Sequence, residues 1–170
     1  MLRVLIRALI STLILMGPTL AWSSTADSIL GHWVMPDGSA LIEVYKVDAS
    51  YSVRIKALRE QTFTVADEGA PLGESRLDIH NPDEDKRERS LLGLDLAWGL
   101  TYEDGVWAGG DIYDPGSGNT YSCELQLEGE GFLKVRGYLG FSLLGRSMYW
   151  QRAGDFKMRV NAMLEGLAAE

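Results

Sequence analysis

The chain has 170 residues, with 24 acidic against 16 basic side chains, a formal net charge of -8 and a single cysteine. An acidic surface of this kind repels nucleic acid and anionic lipid, and one cysteine cannot close an intramolecular disulfide. The length is that of one ordinary domain, enough to bury a core without metal or disulfide staples.

At the start of the chain, Arg3 and Arg7 flank and precede a run from Ala8 to Met16 that is apolar at nearly every position, before Gly17-Pro18 breaks it. A spanning helix needs about 20 apolar residues, so the short run reads as a cleaved secretory signal. Residues 1–26 are therefore expected to be a signal peptide, cut after Ala21, Ser23 or Ala26, and the protein to be exported to the periplasm or secreted. No later segment is long and apolar enough to span a bilayer as a helix, so no membrane span is expected in the mature chain.

From residue 27 to residue 152 the chain is punctuated by turn-forming clusters at Pro36-Asp37-Gly38, Asp104-Gly105, Pro115-Gly116-Ser117-Gly118 and Glu128-Gly129-Glu130-Gly131. Short runs between regularly spaced turns predict a sandwich or barrel. Strands are expected over His32 to Met35, Leu41 to Val47 and Tyr51 to Ala57. Others are expected over Leu92 to Tyr102, Val106 to Tyr113, Thr120 to Glu128, Phe132 to Tyr138 and Arg146 to Arg152. The period is clearest where Tyr121, Cys123, Leu125 and Leu127 alternate with polar residues, the mark of a half-buried antiparallel strand. Cys123 then falls on the apolar face and is expected to be buried and inert. On the same alternation, Leu92, Leu94, Leu96, Trp98 and Leu100 are expected to share one face and to help fill the interior. Arg59 to Arg89 departs from the rhythm and reads as an excursion over the barrel surface or mouth, either functional or a solvated charged face. Residues 153–170 form the other departure: Asp155 can cap an amphipathic helix with Phe156, Val160, Met163, Leu164 and Leu167 on one face.

The chain contains no phosphate-cradling glycine loop, nucleophile elbow, His-Glu-x-x-His or paired cysteines. His80 stands between Asp78 and Asp83, but a few ligands from one loop make a weak metal signal. No metal and no cofactor are expected.

The order of short motifs does carry a signal. Gly31-His-Trp33, Asp78-x-x-Asn81-Pro82, Arg87-x-Arg89, Gly93 and Trp107-x-Gly109-Gly110-x-Ile112-Tyr113-Asp114-Pro115-x-x-Gly118-x-x-Tyr121 come first. Val135-Arg136-Gly137-Tyr138-x-Gly140, Leu144-Gly145-Arg146 and Trp150-x-Arg152 follow. This series closely resembles the bacterial domain of unknown function family 2147, whose members are exported and uncharacterised. Gly-x-Trp on the first strand and Trp-x-Arg on the last also resemble the calycin pattern of lipocalins. That second resemblance implies an all-β, antiparallel up-and-down barrel of about eight strands whose mouth admits a small apolar ligand, here followed by the C-terminal α-helix. Closing such a barrel pairs the first strand with the last, so Trp33 and Arg152 are expected to stack as a structural closure. Asp78, Asn81, Arg87, Tyr113, Asp114, Tyr121, Arg136, Arg146 and Trp150 are motif residues to which the resemblance assigns no role.

Three functional readings follow. The first is a periplasmic binding module for a small apolar or amphipathic ligand, and the second an envelope or stress-related protein that engages another protein through its long loop or terminal helix. The third is a hydrolase using Asp78, His80, Asp111 or Asp114, for which no spacing places a pair together.

Overall fold

The computed structural model describes residues 25–67, 69–129, 131–140 and 145–154. Eight strands follow a short 3-10 segment, Thr25–Ile29: β1 (Gly31–Val34), β2 (Ala40–Val47), β3 (Ser50–Leu58), β4 (Asp95–Glu103), β5 (Val106–Asp114), β6 (Asn119–Glu128), β7 (Phe132–Tyr138) and β8 (Gly145–Arg152). Each pairs antiparallel with the next, and β8 returns to β1 through Trp33–Arg152 and Val34–Gln151, closing the barrel. Closure leaves no strand without a neighbour on either side, although β1 and β8 meet over only these two residue pairs. The expected signal peptide, cut sites and C-terminal helix from Asp155 onward lie outside the described residues.

Alternation in sequence becomes inside and outside in space. On β2 and β3, Ile42, Val44, Val53 and Ile55 are buried while Glu43 and Arg54 pair on the outer face at 2.8 Å. On β6, Cys123 and Leu125 are fully or almost fully buried, and burial pushes the Cys123 thiol up to about 12. Asp104 and Gly105 both adopt positive φ, 46° and 89°, the backbone that a two-residue hairpin turn requires.

One expectation about the interior needs correction. Leu92 lies before β4, is exposed, and belongs to the preceding connection. Trp98 points outward and is 41 % exposed, while Ala97 beside it is fully buried. The cause is two shifts of register where β4 meets β3, around Val53, with Gly99 at a φ of 74°. Each bulge inserts an unpaired residue and resets which side chains face in, so a single parity could not hold from Leu92 to Leu100.

The end of the barrel beneath β1 and β8 is closed by the 3-10 segment. Ile29 is fully buried. The Trp33 indole N–H donates to the Ile29 carbonyl at 2.9 Å, and that of Trp107 to the Ala26 carbonyl at 3.0 Å. Arg152 donates to the Ser28 carbonyl at 2.8 Å. Lys46 and Tyr51 both donate to the Asp27 carboxylate, and these bonds hold it below the usual carboxylate range. Buried indoles with satisfied N–H groups give this end a packed floor.

The connection from β3 to β4 is ordered rather than a bare excursion. Thr62–Ser75 and Leu77–Ser90 form isolated bridges across it, Phe63 is buried, and Arg76 binds Asp67 at 2.8 Å.

Candidate functional site

Among the described residues, the opposite end of the barrel is not filled. On β8, Arg146, Met148 and Trp150 share one face and oppose Gly137, Val135 and Leu133 of β7. Leu133 and Val135 are buried, whereas Gly137 contributes no side chain to the interior. A Cβ there would sit only in ordinary contact with Ile112 and Tyr121, at 3.6 and 3.7 Å. The result is an open cavity of about 780 Å³ with Met35, Leu96, Ile112, Tyr121 and Met148 in its wall. That volume suits a small organic molecule. Met148 is 36 % exposed although it shares the face of fully buried Trp150, so solvent reaches it through the cavity.

Two polar features of this cavity stand out. The Trp150 indole N–H is buried and has no acceptor among the described residues, an arrangement that ordinarily costs about 1–3 kcal/mol. Arg146, at the mouth, makes no hydrogen bond or ion pair among the described residues. Every other described lysine and arginine does have a partner: a carboxylate in most cases, and main-chain carbonyls for Arg59 and Arg152.

Beside the mouth, four motif residues form a buried clamp. Asp78, fully buried, accepts from the Tyr113 hydroxyl at 2.6 Å through Oδ1. Its Oδ2 accepts from Asn81 Nδ2 at 2.7 Å and from Arg89 at 2.8 and 2.7 Å. Asn81 Nδ2 also donates to the Tyr113 oxygen at 3.1 Å, and the Arg89 guanidinium lies 5.4 Å from the Tyr113 ring centre. Burial, and then the bond to Asp78, push the Tyr113 phenol up to about 12. Both carboxylate oxygens accept hydrogen bonds, so the cluster fixes the long connection to β5 rather than presenting a free acid or base. Gly118 completes the fit: it has a φ of 72°, and a Cβ there would stand 2.0 Å from the His80 carbonyl oxygen.

The remaining motif residues fall into place around these features. Arg87 donates to the Asn81 carbonyl at 2.8 Å. Asp114 caps its own turn through Gly116 N and Ser117 Oγ. Arg136 pairs with Glu124 at 3.7 Å, and Tyr121 lines the cavity. At the far end, the Arg152 guanidinium lies 4.2 Å from the Trp33 ring centre. No hydrogen bond or ion pair joins the side chains of any two of Asp78, His80, Asp111 and Asp114 among the described residues. Met35 and Ile112 were not singled out from sequence as interior residues, and Leu96 was read as filling the interior rather than lining a cavity. Their parity was visible, but no pattern distinguishes a cavity wall from a filled core. Arg89 sat in a recognised motif without any signal that it, rather than Arg87, would meet the buried acid.

A second, outer cleft of about 700 Å³ lies between the long connection and the barrel, bordered by Leu92, Trp98, Tyr113 and Thr120. Its charged groups are already committed, Lys86 to Asp83, Arg89 to Asp78 and Asp95 to Tyr45.

Comparison with known proteins agrees with this architecture. The model of a family described as "Uncharacterized protein conserved in bacteria (DUF2147)" matches residues 31–152. Among curated proteins none matches the chain. Among solved structures, a Helicobacter pylori protein, HP1028, described as belonging to the lipocalin family, is similar in fold, with a TM-score of 0.57 and 19% identity. The match covers 71% of this chain and 76% of that one.

Proposed function

This chain belongs to the bacterial family DUF2147, and we propose that it is an exported binding module whose barrel takes up a small apolar or amphipathic molecule. The carrying observation is the half-filled interior: packed tryptophans close one end, and a cavity of about 780 Å³ with mostly apolar walls opens at the other. A lipocalin-like fold supports the reading at the level of architecture, and function still has to be argued from the site. Periplasmic or secreted localisation is part of the proposal and rests on the short apolar run behind Arg3 and Arg7.

The test is binding of a neutral, environment-sensitive dye, N-phenylnaphthylamine, to the folded protein. Met148→Trp should fill the cavity and weaken binding by about tenfold or more, while Trp98→Ser, on the outer face, should leave it unchanged. The opposite pattern would favour the alternative, an envelope interaction protein. For that reading the specific observation is the outer cleft, where Trp98 and Leu92 are 41 and 54 % exposed.

A further inference from the structure

Resting on the binding-module reading, we infer that the cavity selects amphiphiles with a carboxylate head, seated on Arg146 at the mouth with the apolar body directed toward Trp150. The chain carries 24 acidic side chains against 16 basic ones. In such a protein carboxylates are plentiful, and each of the other described lysines and arginines has found a partner. Arg146 has none among the described residues, although it stands on the cavity-facing side of β8 and borders the cavity directly. Asp114 borders the same mouth, but its two oxygens accept from Gly116 N and Ser117 Oγ.

The geometry sets the direction of the ligand. Arg146 and Trp150 lie four residues apart on one face of a strand, about 13 Å at the rise of extended chain. Between them lies Met148, and across the cavity Ile112 and Leu96 add further apolar wall. An ionised head cannot be drawn into that wall without losing its hydration, so it stays at the rim where water and Arg146 meet. The planar guanidinium offers a fork that matches a carboxylate with two parallel hydrogen bonds. A cationic amphiphile of equal length would meet the same apolar wall but a like charge at the entrance.

The experiment displaces bound N-phenylnaphthylamine with three amphiphiles of one chain length, dodecanoate, dodecanol and dodecyltrimethylammonium, at neutral pH and below their micelle concentrations. Dodecanoate should displace the dye at a concentration about tenfold lower than either of the others. In Arg146→Gln that preference should collapse while the dye and dodecanol bind as before, and Arg146→Lys should keep part of it. Since Arg146 has no partner among the described residues to lose, folding of both variants is expected and is checked by thermal unfolding. Equal displacement by acid and alcohol in the unaltered protein overturns the inference without recourse to any variant, as does a preference that survives in Arg146→Gln. In both cases the dye still binds and the binding-module reading stands. Failure of the dye and of all three amphiphiles to bind overturns both.

Discussion

The Arg152 guanidinium lies 4.2 Å from the centre of the Trp33 ring, and the two residues face each other in register across the seam where β8 meets β1. Arg152 also donates to the Ser28 carbonyl, so one side chain joins the last strand, the first strand and the 3-10 segment beneath them. A cation over an indole contributes about 0.5–2 kcal/mol and a hydrogen bond about 1 kcal/mol. Arg152→Ala should therefore lower unfolding stability by about 1.5–3 kcal/mol, with dye binding at the other end unchanged. A double-mutant cycle with Trp33→Leu should show coupling of about 0.5–2 kcal/mol. Additive losses would mean that the stacking contributes nothing.

Asp78→Asn replaces an acceptor-only group with one that carries its own N–H donors. Arg89, Asn81 and Tyr113 all donate to the present carboxylate, and the amide offers them one acceptor oxygen in place of two and no negative charge opposite Arg89. Breaking a buried ion pair costs about 3–5 kcal/mol. Here Arg89 is partly exposed, which places the expected loss near 3 kcal/mol or slightly below. Urea unfolding measures it, and limited proteolysis should find new cuts within residues 59–94. A variant as stable and resistant as the parent would show that the clamp is not what holds the connection.

Alkali should weaken the fold in a defined window. Tyr113 and Cys123 are neutral when protonated, and the folded protein raises both, from 10.0 to about 12 and from 9.0 to about 12. The folded chain thus holds these protons more tightly than the unfolded one. Their contribution is complete below pH 9.0 and is lost progressively as the pH rises to about 12, because the unfolded state binds fewer protons across that range. Urea midpoints should fall over this interval, less steeply in Tyr113→Phe and in Cys123→Ala. A midpoint that stays flat between those limits in the unaltered protein contradicts the assignment.

Gly118→Ala tests how closely the long connection sits on the β5–β6 turn. Its φ of 72° is costly for any residue with a Cβ, and that Cβ would fall 2.0 Å from the His80 carbonyl oxygen. Backbone strain of this kind costs about 1–3 kcal/mol, and the backbone contact cannot be relieved by a side-chain rotation. The variant should lose at least that much stability and show faster amide exchange around Asp78 and Asn81 than in the strands. Unchanged exchange there would detach Gly118 from the docking of the connection.

The proposed leader has three candidate cut sites, and the 3-10 segment discriminates between them. Ala26 accepts from the Trp107 indole, so a cut after Ala26 would remove that part of the barrel's closure. The mature N-terminus is expected at Trp22 or Ser24, upstream of Thr25. Edman sequencing or intact mass of the exported protein decides it, and a start at Asp27 would contradict this.

Much of the barrel was legible in the residues themselves. Alternation at Tyr121 to Leu127 and at Tyr51 to Ala57, with Asp104-Gly105 between two apolar runs, marked strands and a turn, because side-chain period and positive-φ preference act locally. Turn spacing left sandwich and barrel open, and closure followed from the calycin resemblance, since an up-and-down barrel must bring its first strand to its last. The outward turn of Trp98 was not legible. It depends on bulges that arise only when β4 is fitted against β3.

The site was harder to read for the same reason. Sequence identified Asp78, Asn81 and Tyr113 as motif residues, but Asp78 and Tyr113 meet across 35 positions, and only the docked connection makes them one cluster. Parity is a property of the backbone and puts Arg146, Met148 and Trp150 on one face of one strand, but nothing in the sequence singled that face out. Whether that face looks into packed side chains or into an open cavity depends on what the opposing strands contribute. At Gly137 they contribute hydrogen where Leu133 and Val135 contribute bulk. The lack of a partner for Arg146 among the described residues is likewise a fact about many neighbours at once, and only the folded chain brings those neighbours within reach.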